Sequence, residues 1–231
     1  GLERPRTGTA RADISESGAR MLGRETEIAA LRAAWEEARA GQTRAVVISG
    51  EAGIGKSQLI SAFAQGLEAA EPDLTRLRYF CSAFGANRAL HPFEDQFASA
   101  AGVTSKDGAD EKAAKIAAYA AAHPAIDDAG AALIAALGPK GNASGLGMNP
   151  VQQKEATLSL IAHLIRHEAA TGPVLVQFED AHWADATSME ALSRLIGIGG
   201  ETAPPFPILI LISARTGFAP AWPHARWLRT V

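Results

Sequence analysis

Eight consecutive residues, Gly50-Glu51-Ala52-Gly53-Ile54-Gly55-Lys56-Ser57, satisfy the pattern G-x-x-x-x-G-K-[ST] in full. Each fixed position has a physical task. The glycines let backbone N–H groups approach a phosphate with no Cβ in the way. The Lys56 ammonium reaches the outer phosphates of a nucleotide, and the Ser57 hydroxyl is a ligand for Mg²⁺. With Gln58, which opens the following helix, these residues form the candidate nucleotide-binding segment. A second constellation ends the run Pro173-Val-Leu-Val-Gln-Phe-Glu179-Asp180. Its two carboxylates are neighbours on an extended chain and face opposite ways, so only one can point straight at a metal. By position, Glu179 is assigned to Mg²⁺, directly or through water, and Asp180 to water positioning or proton acceptance; either could hold the metal with Ser57. Arg215 closes a further apolar run, where a permanent cation with a forked donor set suits phosphate oxygens.

Plainer readings exist for each residue. A tight glycine turn needs no ligand, a pair of acids can simply end a strand, and an arginine in a loop is usually solvated. The phosphate loop and the acid pair occurring together weigh against the first two. His182 could order the acid pair or contact phosphate, although a satisfied structural histidine is the more ordinary role. Trp183 reads as core rather than as a stacking platform, and Cys81 as a buried strand end. His163 and His167 sit one turn apart on a helix at a spacing that could hold zinc, but no third ligand is near in sequence. Gln177 lies in a strand that should be covered on both faces, without an evident partner for its amide.

A phosphate loop works only if a buried strand runs into it and a helix leaves it. Ala45-Val-Val-Ile-Ser49 is such a strand, and Leu59, Ile60, Phe63 and Leu67 recur at helical spacing after the loop. Ile28, Leu31 and Trp35 predict an earlier helix over about 25–40 that closes at Gly41. Further strands are expected at Arg76–Cys81, Val174–Phe178, Ile208–Ile212 and Arg226–Val231, with a helical stretch over about 92–170. The segment Gly138–Pro150 has the composition of a flexible loop. The alternation of strands and helices indicates an α/β fold with a mainly parallel sheet. Residues 1–20 carry almost no large apolar side chain and read as a linker.

Composition bounds the remaining classes. Of 231 residues 47% are hydrophobic and 20% charged, which excludes a wholly disordered chain and a polytopic membrane protein. Lys and Arg number 22 against 25 Asp and Glu, a formal charge of −3, so no global basic field is available for direct nucleic-acid binding. A single cysteine permits no internal disulfide, and no apolar run reaches the roughly 18 residues of a membrane span; a cytoplasmic location is expected.

Several motifs now fall in a telling order: Gly23-Arg24-x-x-Glu27, GEAGIGKS at 50–57, FEDAHWAD at 178–185 and Ile212-Ser-Ala-Arg215. Together they resemble the STAND branch of P-loop NTPases. The likeness is strongest to the ATPase module of bacterial class III adenylate/guanylate cyclase multidomain proteins, and it covers about residues 20–231. The resemblance implies a P-loop core over 21–231, a three-layer α/β/α fold with five parallel strands in the order 5-1-4-3-2 and a helical insertion after the second strand. It implies ATP and Mg²⁺ as ligands, with slow hydrolysis serving as a nucleotide switch in a signal-transducing protein. The catalytic set would be Lys56, Glu179, Asp180 and Arg215, the last facing the γ-phosphate as a sensor. Leu22 to Glu27, including Gly23 and Arg24, would lie against base and ribose, and Trp183 and Asp185 would belong to the extended acid motif. Linked or associated signalling domains and nucleotide-dependent oligomers would be the partners.

Two departures stand out. Glu179 occupies a position where related NTPases often carry the shorter Asp, and the chain reaches Val231 without the family's helical lid or winged helix, which implies a half-open site. Adenine preference over guanine rests on the resemblance alone. A nucleotide-binding scaffold without turnover is the main alternative. A small-molecule kinase is disfavoured because no Arg-rich lid follows the loop.

Overall fold

The central strand of the core shows why this sheet forms where it does. Ile208–Ala214 reads ILILISA, seven residues that are all buried, as a central parallel strand covered on both faces requires. The computed structural model describes residues 23–137, 147–197, 206–219 and 228–230. Along the chain these form α1 (Glu25–Arg39), β1 (Arg44–Ser49), α2 (Lys56–Ala70), β2 (Thr75–Phe80), α3 (His91–Ala100), α4 (Ala109–Ala122), α5 (Asp128–Leu137), α6 (Pro150–Thr171), β3 (Val174–Glu179), a 3₁₀ turn (Ala181–Trp183), α7 (Ala186–Gly197), β4 (Ile208–Ala214) and β5 (Leu228–Thr230). The segment 1–20, most of the glycine-rich segment from 138 and the stretch 220–227 lie outside the described residues. No described helix is long and apolar enough to cross a membrane.

The sheet runs β2-β3-β4-β1-β5 with every pairing parallel. Four strands have six or seven residues and β5 has three. Alternate side chains feed two cores. Val46 and Ile48 of β1 with Leu209 and Leu211 of β4 pack against Leu31 and Trp35 of α1 and Leu59, Ile60 and Phe63 of α2. Ala45, Val47, Val174, Val176, Phe178, Ile210 and Ile212 face the other way, onto Phe93 of α3, Leu158, Ile161 and Ile165 of α6, and Leu192 and Leu195 of α7. Four described helices separate β2 from β3, and α4, α5 and α6 share a small satellite core around Ala120, Ile134 and Leu164.

Gln177 now acquires partners. It is fully buried on the α2 side of β3, where its Oε1 accepts a hydrogen bond from Arg76 Nε at 2.8 Å and its Nε2 donates to the Ile60 carbonyl at 3.5 Å. Arg76 in turn pairs with Glu68 of α2. This chain of polar contacts pins the helix that follows the phosphate loop to two strands. Gln177→Leu is expected to lower stability by about 1–3 kcal/mol in urea unfolding, because the Arg76 donor beside it is left unsatisfied. A variant as stable as wild type would show the network to be dispensable.

Candidate functional site

The six residues between β1 and α2 turn back on themselves at two glycines in the left-handed region, Gly53 (φ +79°) and Gly55 (φ +94°). Any other residue would be strained there. Lys56, 8% exposed, begins α2 and folds its ammonium over the loop, donating to the carbonyls of Gly50 and Glu51, each at 2.8 Å. From outside, Arg24 donates to the Ile54 carbonyl at 2.6 Å while pairing with Glu27 at 2.9 Å. The Gly55 carbonyl accepts from Leu59 N–H at 2.9 Å. The carbonyls of Gly50, Glu51, Ile54 and Gly55 are thus engaged by cations and by the helix, and the first-turn N–H groups of α2 supply positive potential for an anion.

The opposite wall comes from the C-terminal ends of β3 and β4, where ligands of open α/β sheets bind. Asp180 leaves β3 in the left-handed conformation (φ +56°), and its N–H donates to the buried Ser213 hydroxyl of β4 at 2.9 Å. A non-glycine residue in this region carries strain, which Asp tolerates better than most. Between loop and wall lies a cavity of about 580 Å³ lined by Ala52, Gly53, Gly55, Lys56, Ser57, Gln58, Asp180, His182, Trp183 and Arg215. The fold therefore gathers both walls of the expected site. Gly50, Glu51 and Ile54 contribute backbone behind the lining, and Gly23 and Arg24 do not line the cavity among the described residues. Arg24 acts on the loop's outer side through Ile54.

Glu179 sits just behind the lining, almost buried. Burial raises its carboxyl above the ordinary glutamate range; the Ser57 hydroxyl and the Arg78 charge, the latter 3.8 Å away, pull it back in part, and Asp180 pushes it up again. Trp183 is not core. It is 37% exposed, lines the cavity and carries the Arg215 guanidinium over its ring at 5.5 Å. That contact fixes a cation that an isolated loop arginine would leave to solvent. His182 is also not a satisfied structural histidine, since both of its ring nitrogens are buried without a hydrogen-bond partner among the described residues. Cys81 is buried and free, its thiol pushed up to about 12 by burial and then by Asp185 and Asp180.

Asp185, the last residue of the FEDAHWAD run, does not face the cavity. Its Oδ1 accepts from the N–H groups of Thr187 and Ser188 at 2.9 and 3.0 Å, capping α7, and its Oδ2 accepts from Leu90 N–H at 3.3 Å. One carboxylate therefore starts a helix and ties down the turn that starts α3. Asp185→Ala is expected to cost about 1–2 kcal/mol of stability, as loss of a helix cap does, while leaving nucleotide affinity in calorimetry near wild type. Ser213, whose hydroxyl accepts the Asp180 N–H, stands within the Ile212-Ser-Ala-Arg215 motif, but the sequence assigned it no role of its own.

The match to the AAA ATPase domain spans residues 20–211, most of the chain, and includes the loop and the acid pair. This chain belongs to the AAA ATPase domain family. Among curated proteins, the AAA ATPase domain described here is similar to an uncharacterized protein of Rhizobium meliloti strain 1021, 27% identical over 208 residues that cover 89% of this chain and 19% of that protein. The chain thus spans about a fifth of the length of that relative. Among solved structures it is similar to Rhizobiales Trip13, with 12% identity and a TM-score of 0.44 over 96% of this chain and 66% of that one. Membership of the AAA ATPase domain family makes nucleotide binding and hydrolysis the expected activity.

Proposed function

We propose that this AAA ATPase domain binds ATP with Mg²⁺ in the cavity between the 50–57 loop and the Asp180–Arg215 wall, and hydrolyses the β,γ bond slowly. The observation that carries the reading is convergence: the loop, one buried lysine, Asp180 and a ring-stacked arginine line one cavity. The residues present fit Mg²⁺. The Ser57 hydroxyl and the Glu179 carboxylate, which influence one another electrostatically, are hard oxygen groups of the kind such an ion takes, with phosphate and water as its other ligands. When bound, the metal supplies charge neutralisation on the β- and γ-oxygens.

The chain's own groups divide the remaining work. Loop N–H groups and Lys56 bind the phosphates, and Arg215 stabilises charge on the transferring group. Asp180 orients the attacking water. Its oxygen bonds to the γ-phosphorus as the bond to the bridging oxygen breaks; the electron pair leaves with ADP, and the water proton passes to the Asp180 carboxylate and then to solvent. Gly23 and Arg24 would meet the base and ribose from the loop's outer side. STAND-type switching, a cyclase-linked or otherwise signal-transducing parent protein, and nucleotide-dependent oligomers complete the proposal, supported by the motif order. The second reading, nucleotide binding without turnover, draws on Glu179, whose burial favours the neutral acid and whose carboxylate Arg78 engages at 3.8 Å in competition with a metal.

The test is the thermal midpoint with and without Mg²⁺ATP, Mg²⁺GTP and Mg²⁺ADP. A ligand at 100 times its dissociation constant should add about 2.7 kcal/mol of stability. A shift with adenine nucleotides that exceeds the shift with GTP supports the reading; no shift with any nucleotide overturns it.

A further inference from the structure

The helical stretch between β2 and β3 encloses a second cavity, which shares no lining residue with the nucleotide cavity and is independent of that reading. Its volume is about 210 Å³, and its walls are mainly apolar: Leu77 and Tyr79 of β2, Phe97 of α3, Tyr119 of α4, and Ile161 and Leu164 of α6. One end is polar. There Glu168 of α6 accepts at Oε2 from the Thr75 hydroxyl at 3.4 Å, and its Oε1 lies 3.4 Å from His123 Nε2. Both contacts are long for a carboxylate, which therefore keeps accepting capacity to spare. The Glu168 side chain lines the cavity and is 30% exposed, and among the described residues no lysine or arginine is paired with it. Burial, and then the Glu168 charge, push the Tyr119 phenol up, so the negative potential extends along an aromatic wall. Thr75 to Tyr79 spans four residues of strand, about 13 Å. The cavity thus runs from a carboxylate beside Thr75 to the core that Tyr79 shares with Ile161.

We infer that this cavity binds a small primary amine built on one aromatic ring, its ammonium donating to the Glu168 carboxylate and its ring lying against Leu77, Tyr79 and Phe97. Size limits the body of the ligand. An apolar cavity of roughly 150 Å³ holds a benzene ring, so the volume here admits one ring with a short arm and excludes a nucleotide. Charge selects the end group. A carboxylate unpaired with arginine or lysine forms charge-assisted hydrogen bonds with an ammonium and repels an acid. The aromatic walls favour a ring in the body, by stacked or edge-on contact. The walls are also fixed in advance: Gln96 of α3 accepts at Oε1 from the Arg78 N–H at 3.2 Å, tying α3 to the outer edge of β2, so little ordering is left for the ligand to impose.

The experiment titrates 2-phenylethylamine, 2-phenylethanol and phenylacetate into wild type, Ala100→Trp and Glu168→Gln by calorimetry, with the ligand-free thermal midpoint as the check on folding. Ala100 is exposed and lines the cavity, so Ala100→Trp fills the opening from outside the packed core. Glu168→Gln keeps an acceptor for the Thr75 hydroxyl and removes the charge. Wild type should bind the amine about ten-fold more tightly than the alcohol and should not take the acid. Ala100→Trp should weaken amine binding about ten-fold or more, and Glu168→Gln should erase the preference for amine over alcohol, both with midpoints near wild type. Leu77→Phe occludes the cavity from β2 and takes the place of Ala100→Trp if that variant melts early. Wild type that fails to bind the amine, or binds it no more tightly than the alcohol, overturns the inference. Amine binding that survives occlusion at full strength overturns it as well.

Discussion

Lys56→Ala is expected to abolish measurable ATP binding and with it the nucleotide-dependent rise in thermal midpoint. The ammonium is held by the Gly50 and Glu51 carbonyls, and a bound phosphate would draw on the same charge. Removing the lysine takes away a buried cation at the loop and releases two carbonyls that can turn inward against an anion. Alanine is the best helix former, and Lys56 is the first residue of α2, so the fold itself should survive. The signature is therefore selective: a nucleotide-free midpoint close to wild type, and no trace of the stabilisation of about 2.7 kcal/mol expected at 100 times the wild-type dissociation constant. Unchanged affinity in calorimetry would remove the loop from the site.

The second large effect concerns the acids. Glu179→Gln and Asp180→Asn should each retain nucleotide while phosphate release falls by about 10²–10⁴-fold, the range for loss of a positioned acid or base. Asn tolerates the left-handed backbone that Asp180 adopts, so the Ser213 contact and the turn carrying His182 should persist. Glu179→Gln should also raise the stability of the nucleotide-free protein. The folded-state pKa of Glu179 is raised, so its favourable contribution is complete below the unfolded value and is lost as pH rises through the folded one. At neutral pH the buried carboxylate is a net cost that a neutral amide avoids. A more stable but inactive Glu179→Gln variant would show a residue retained for chemistry at the expense of the fold. If both variants release phosphate at the wild-type rate while binding nucleotide, hydrolysis does not use this pair, and if wild type itself releases none, the binding-scaffold reading stands.

How far these residues could be read before folding depends on the distance over which each signal acts. The loop pattern at 50–57, the apolar strand before it and the helical spacing after it are local, and so is the acid pair closing an apolar run. They suffice for an α/β domain with a phosphate loop, because strand burial and helix amphipathicity leave their periods in the chain itself. The roles of Gln177, Ser213, Trp183, His182 and Asp185 were not legible in this way. Gln177 meets Arg76 across 101 positions, Asp180 meets Ser213 across 33, and Arg24 reaches Ile54 across 30. Parallel strands bring such residues together only after intervening helices have crossed over the sheet, and no local pattern records which polar group will lie beside which. Residue type and spacing thus announce that phosphate can be bound here, whereas the packing of β3 against β4 settles that Trp183 carries Arg215 at the cavity wall and that both His182 nitrogens are buried without a hydrogen-bond partner among the described residues.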